Sequence, residues 1–292
     1  MDLPHIGILT FPPGSTRFSP VNHCIYCETQ DEQLTDEHII PLGIGGALLL
    51  PQSSCTACAA ITGAFIEQQC LRQLFQHIRL RYGFPTRRPR DRPKDFAAKV
   101  HASDEILDAT IQLSDLPTCA WALPYFDTLP KSLNNEPESD TTLYRIMSCF
   151  ADQDAPMLDK VGGGLPVSFG ELKSDLFFRM LAKIAHAFAY ALLGIDGFVP
   201  HLQHFIKDGI GNVGHFIGNE PRTADDIRHV HRLELSEYCT PNGARFLTVR
   251  MNLFSFLHTP RYVVVVGESI GEKYRLLQAR CYVDTIELTV PK

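Results

Sequence analysis

The chain lacks the features that would place it in a membrane or send it outside the cell. No stretch approaches the roughly 18 to 20 apolar residues of a membrane span, and the opening MDLPHIGILTFPPG has neither the basic start nor the apolar core of a secretory signal. An excess of positive charge is also missing. With 27 Lys and Arg against 33 Asp and Glu, the net charge is -6. A uniformly basic coat is thereby excluded, and any nucleic-acid footprint is local. The expectation is a cytoplasmic, soluble protein with no membrane partner. What is present is globular: a hydrophobic content of 45% over 292 residues suffices for one large domain or two ordinary ones. Helical periodicity and strand-like alternation both occur, so the expected class is α+β.

Cysteine is plentiful, and its placement carries more information than its number. Nine is an odd count, and in a reducing compartment thiols bind metal or sit buried more often than they pair. Cys24 and Cys27 form CIYC and Cys55 and Cys58 form CTAC, with 27 residues between the pairs. A tetrahedral zinc ion needs four soft ligands, and each Cys-x-x-Cys knuckle offers two from one tight turn. Such a site contributes about 10 kcal/mol or more of folding free energy, which a unit of this size with a small core needs. His23 adjoins Cys24, but four thiolates already complete the shell. Cys70, Cys119, Cys149, Cys239 and Cys281 are scattered and are assigned to packing.

Between the knuckles stands DEHIIPLGIGG. His38 is the titratable group there whose reference pKa lies near neutrality, so it suits proton abstraction from water. Glu37 is a hard oxygen ligand suited to magnesium or manganese. In a regular strand the two would face opposite ways, so their cooperation requires a twist or bulge. Pro41 and the glycines at 43, 45 and 46 end the strand in a tight loop. After the second knuckle, Ile61, Phe65, Leu71, Leu74, Phe75 and Ile78 recur at helical spacing and predict an amphipathic helix over 60–82.

This arrangement, CxxC then Glu-His-Ile-x-Pro with a following Gly-Gly and a second CxxC, resembles the zinc-stapled members of the HNH endonuclease family over about residues 22 to 80. The resemblance implies a ββα-metal fold with His38 as general base and Glu37 as a ligand of Mg2+ or another divalent cation beside the structural Zn2+. It implies hydrolysis of DNA, with RNA left open, to a 5′-phosphate and a 3′-hydroxyl. Relatives place Asn or His directly after the second CxxC, where this chain has Ala59. Thr62, one turn into the helix, and Glu67, which has the better chemistry but lies about two turns further along the axis, are the candidate replacement ligands. The Asn that orders the hairpin in relatives is also replaced, and Gln52, Ser53 and Ser54 are placed to do that work.

A basic run follows. Between 68 and 100 there are nine Lys or Arg against two Asp, a local +7 in a chain that is otherwise -13. Arg79, Arg81, Arg87, Arg88 and Arg90 are the candidates for phosphate contacts, with His77 on the same helix able to join them. The expected organisation is an irregular lead-in (1–22), the zinc-stapled nuclease-like module (23–82), a basic Pro/Arg-rich connector (83–97) and a larger C-terminal α+β domain (98–292). In that domain a long helix from about Glu171 to Leu193 packs on an antiparallel sheet. Asn242-Gly243 marks a hairpin in that sheet, and a further strand is expected near the end of the chain. The leading reading is a metal-dependent DNA endonuclease; the alternative is a catalytically impaired zinc module for nucleic-acid binding or protein interaction. Dimerisation is left open.

Overall fold

A computed structural model describes residues 16–30, 33–86, 88–117, 120–138, 142–150, 155–221, 230–257, 259–270 and 279–283. The N-terminal sheet has three strands. Leu34–His38 (β2) and Leu48–Cys55 (β3) pair antiparallel, and the short Thr16–Arg17 (β1) runs parallel along the other edge of β3. The connection between β2 and β3 is the Gly-rich turn. Pro41 caps a single 3-10 turn, Leu42–Ile44, and Gly45 follows it at φ 90°, a conformation that favours glycine. Gly46 is required for a different reason: a Cβ there would lie 1.8 Å from the carbonyl oxygen of Ile40. Since that obstacle is backbone, Gly46→Ala is expected to destabilise the protein by about 1–3 kcal/mol or more. An unchanged urea midpoint would show that the loop opens freely.

The helix after β3 exists, but it is not the uniform one that the spacing predicts. Cys55 caps a first α-helical turn, Thr56–Ala59 (α1), which widens into a π-helix over Ala60–Glu67 before returning to α geometry over Gln68–Arg72. Two residues explain the loosening. Thr62 turns its hydroxyl back onto the Cys58 carbonyl at 3.1 Å, and Gly63, open on its side-chain face, resists the wider turn least. The change of period moves the apolar face. Ile66 is fully buried, whereas Phe65 is 53% exposed, with the Arg179 guanidinium 5.4 Å from its ring centre. The chain then bends at Gln73–Phe75 and resumes as Gln76–Arg81.

The C-terminal half has the expected α+β character. Asp95–His101 and Ile106–Gln112 form a hairpin extended by Val167–Ser168, and Ala120–Tyr125 pairs with Arg145–Phe150. The main sheet is antiparallel, with spatial order Ile217–Glu220, Arg261–Ser269, Arg245–Leu253, His231–Cys239 and Ala279–Val283; Phe198–Pro200 pairs along part of Arg261–Ser269. Of the strand expected at the end of the chain, Ala279–Val283 lies within the described residues and the remainder outside them. The Asn242-Gly243 hairpin is present, but Gly243 alone of the pair takes positive φ. Asn242 contributes its side chain instead, accepting from the Thr240 hydroxyl and from the Ala244 amide.

The long helix, Ser174–Leu193, lies against this sheet. By length and composition it could cross a membrane, which corrects the expectation that no segment approaches that limit, but 89% of its apolar window is buried inside the protein. The apolar core is continuous from the zinc module to the sheet. Phe75 from the module, Phe177 from the long helix and Phe254 from the end of a sheet strand meet at ring distances of 5.4 and 6.3 Å. Two buried histidines pin the halves through the module's backbone. His186 Nε2 is 2.7 Å from the Ile25 carbonyl and His231 Nε2 is 2.6 Å from the Ile44 carbonyl, so each donates from its neutral ring. Burial holds both down at about 4.

Candidate active site

The four knuckle cysteines converge. The Sγ atoms of Cys24, Cys27, Cys55 and Cys58 all lie within 4.8 Å of one another, and Cys27 and Cys55 are 3.7 Å apart. Bonds of about 2.3 Å in a tetrahedron place sulfurs about 3.8 Å apart, so the cluster fits zinc. The turns that hold it are tight. Glu28 at φ 63° closes the first knuckle through its amide on the Cys24 carbonyl, and the Cys58 amide donates to Cys55 Sγ in the second. A hydrogen bond from Cys58 holds the Cys24 thiol down at about 4, while the same contact and burial push Cys58 up. His23 lies outside the cluster, with its Nδ1 on Gln30. Cys70 is buried, as expected for packing, and burial raises it to about 12; Cys239 is exposed. Cys119 lies outside the described residues.

A bulge is present in β3, but it lies just before the Glu-His pair: Glu37 and His38 keep regular register with Leu50 and Leu49. Thr35 pairs with Ser54 and Glu37 with Leu50, so Pro51–Ser53 stand opposite Asp36 alone, with Gln52 at φ 47°. Hydrogen bonds stabilise this irregular segment in place of the missing amide: the Gln52 N–H donates to Asp36 (3.2 Å), the Ser53 hydroxyl to the Leu50 carbonyl (2.7 Å) and the Thr35 hydroxyl to the Ser54 carbonyl (3.0 Å). Glu37 and His38, the last two residues of β2, both line one open cleft of about 860 Å³.

Ala59, Thr62, Gly63 and Glu67 line the cleft from the helix side. The Thr62 hydroxyl is engaged with the Cys58 carbonyl, and Ala59 offers no donor atom. Glu67 is the helix residue that reaches Glu37, through an intermediary that the sequence reading did not single out. Lys183, fully buried on the long helix, places Nζ 2.5 Å from Glu37 Oε1 and 2.6 Å from Glu67 Oε1. The same ammonium donates to the His38 carbonyl and to that of Ile39. Burial would discharge Lys183, but the two carboxylates outweigh it and hold the amine above its ordinary value. Burial raises Glu37, which has only a share in one lysine. The two carboxylates share one ammonium, and their oxygens are hard donors of the kind a divalent cation takes. Tyr26, buried within the first knuckle, is raised by its burial and by Glu37 and Glu67.

The basic run divides into structural and cleft-facing members. Arg79 lines the cleft, but its guanidinium ties the Gly43 loop to Leu71 at 2.7 and 3.0 Å, so it acts as a brace. Arg88 lines the cleft and is exposed, with Asp91 at 4.0 Å. Arg72 and Arg92, which the candidate set omits, also line it, and Arg92 bonds the Phe84 carbonyl. Arg81 and Arg90 are not among the lining residues, and Arg87 lies outside those described. His77 corrects the expectation outright. It is fully buried against Phe96 and Phe169, and burial pushes it down to about 3, so it cannot meet a phosphate.

Compared with known proteins, residues 24–75 match the family model of HNH endonuclease. No curated protein and no solved structure matches the chain. The matched segment contains the four cysteines, the Glu37-His38 pair and Glu67; Lys183, Arg88 and Arg92 lie beyond it.

Proposed function

We propose that the protein is a divalent-cation-dependent DNA endonuclease that hydrolyses phosphodiester bonds in the cleft between β2 and the π-helix. The observation that supports this reading is the convergence of His38, Glu37 and Glu67 on one cleft, with Arg72, Arg88 and Arg92 around it. In this reading the His38 imidazole takes a proton from water as that water attacks phosphorus in line. Glu37 and Glu67 hold the cation, and the arginines bind flanking phosphates without regard to sequence. When bound, the cation supplies charge stabilisation to the phosphate oxygens and the departing 3′ oxygen. The products carry a 5′-phosphate and a 3′-hydroxyl.

A second reading, a zinc module that binds nucleic acid without cutting it, is favoured by one observation: Ala59 supplies no ligand and Thr62 spends its hydroxyl on backbone. Nicking of supercoiled plasmid with magnesium, manganese or nickel separates the two, since the second reading predicts binding and no nicks. Both readings share an electrostatic expectation. Replacing exposed Arg72 and Arg88 by alanine should reduce the slope of log affinity for duplex DNA against log salt by about two, near 0.9 for each phosphate no longer neutralised. A slope that stays the same places the DNA elsewhere.

A further inference from the structure

A buried lysine needs only one carboxylate to be neutralised, yet Lys183 takes two, from different elements, and two backbone carbonyls besides. Glu37 is at the end of a strand and Glu67 at the end of the π-helix. Two carboxylates facing the same point repel unless a cation stands between them. The ammonium has three protons and a compact head, and it reaches that point from the core, for Lys183 is 0% exposed and does not line the cleft. Its other contacts fall on His38 and Ile39, where β2 gives way to the Gly-rich turn, so the amine also fixes the backbone from which the His38 ring projects.

We propose that Lys183 is a positioning residue of the nuclease site: from the C-terminal half, its ammonium clamps Glu37 and Glu67 into one cation-binding pair and sets the backbone of His38. This rests on the nuclease reading of the cleft and deepens it. The module matched to known nucleases is thereby incomplete by itself, because the clamp lies on a helix more than a hundred residues further along the chain. The clamp also gives the long helix a chemical role: one turn past Lys183, His186 holds the zinc knuckle through Ile25, so a single helix registers both centres.

The test compares the zinc-loaded full-length chain with Lys183→Met and Lys183→Arg. Mn2+ binding is read by the electron paramagnetic resonance of the free ion, alongside kcat and KM for plasmid nicking. Lys183→Met is expected to keep its zinc and its KM for DNA while Mn2+ affinity and kcat each fall about 10- to 100-fold, the usual range when the support of a metal ligand is removed. Lys183→Arg, which keeps the charge, should recover part of both. Unchanged or higher Mn2+ affinity in Lys183→Met, the result expected if the ammonium merely repels the ion, overturns the proposal, as does an unmodified chain that binds no Mn2+. If Lys183→Met fails to retain zinc, the unmodified chain decides. With lysines labelled at 13Cε, Mn2+ should broaden the Lys183 resonance first, and a signal that survives Mn2+ saturation refutes the clamp. Mn2+ affinity that depends on Lys183 in a chain that never nicks DNA would keep the clamp and remove the nuclease reading. Nicking that needs His38 but ignores Lys183 would do the reverse.

Discussion

His38→Ala is expected to reduce plasmid nicking by about 10² to 10⁴, the usual cost of removing a general base, with little change in zinc content or melting temperature. The small structural cost follows from how the residue is held. Its backbone carbonyl, rather than its ring, accepts from Lys183, and its neighbours Ile39 and Ile40 supply the buried apolar contacts. Truncating the half-buried ring leaves the backbone contact of the strand end with Lys183 in place. DNA affinity should also hold, since the phosphate contacts are assigned to the arginines. The informative result is thus a drop in kcat at constant KM. Equal rates for the two proteins would falsify the assignment of His38 as base. Equal inertness at high enzyme concentration with every metal would favour the binding-only reading, for which the Ala59 position already gives a reason.

Local sequence features made the centre of the site readable. Paired CxxC spacing specifies four thiols at tetrahedral distances because each knuckle is a turn closed by its own backbone, and the cluster within 4.8 Å follows from that. Glu37 and His38 stood out as candidates because their chemistry is unusual between two knuckles, and both line the cleft, although the bulge lies before the pair and not within it. The Asn-Gly hairpin and the long helix were equally plain, being set by backbone preference and by a sustained apolar face.

Other features depend on tertiary contacts, which leave weak marks on the chain. Nothing in the helical spacing reveals the π-helix, which exchanges Phe65 for Ile66 on the buried face. His77 and Arg79 sit in a basic run and look alike in sequence, yet one is sealed between phenylalanines and the other braces a loop. Lys183 had one available signal, a lysine within the apolar stripe LAKIAHAF, where the face around it is buried. A charged residue there is rarely tolerated unless paired, which could have prompted a search for its partners. Their identity could not be read, because Glu37 and Glu67 lie more than a hundred positions away and meet the lysine only after folding.

Removal of zinc should have the widest structural effect of any single change. Elemental analysis is expected to give about one zinc per chain, and both chelation and Cys55→Ser should abolish the cooperative melting transition, not merely loosen one knuckle. Apparent zinc-binding free energies of about 10–16 kcal/mol for small four-ligand sites equal or exceed the total stability of about 5–15 kcal/mol typical of a folded domain. The loss is not confined to the module, because the knuckle is built into the common core. Ile25 and Tyr26 are buried against the long helix, where His186 bonds one and stacks at 5.7 Å on the other. Once the knuckle opens, His186 loses its acceptor, and movement of β2 removes the Lys183 partners at His38 and Ile39. Cys55 is the most damaging position to change, since it ends β3, caps the following helix and supplies a ligand. Cys239→Ser, at an exposed cysteine outside the cluster, serves as the control and should melt as the unmodified chain does. Near-UV circular dichroism unaffected by complete zinc removal would mean that the four thiols pack without metal and that the module is held by its apolar contacts alone.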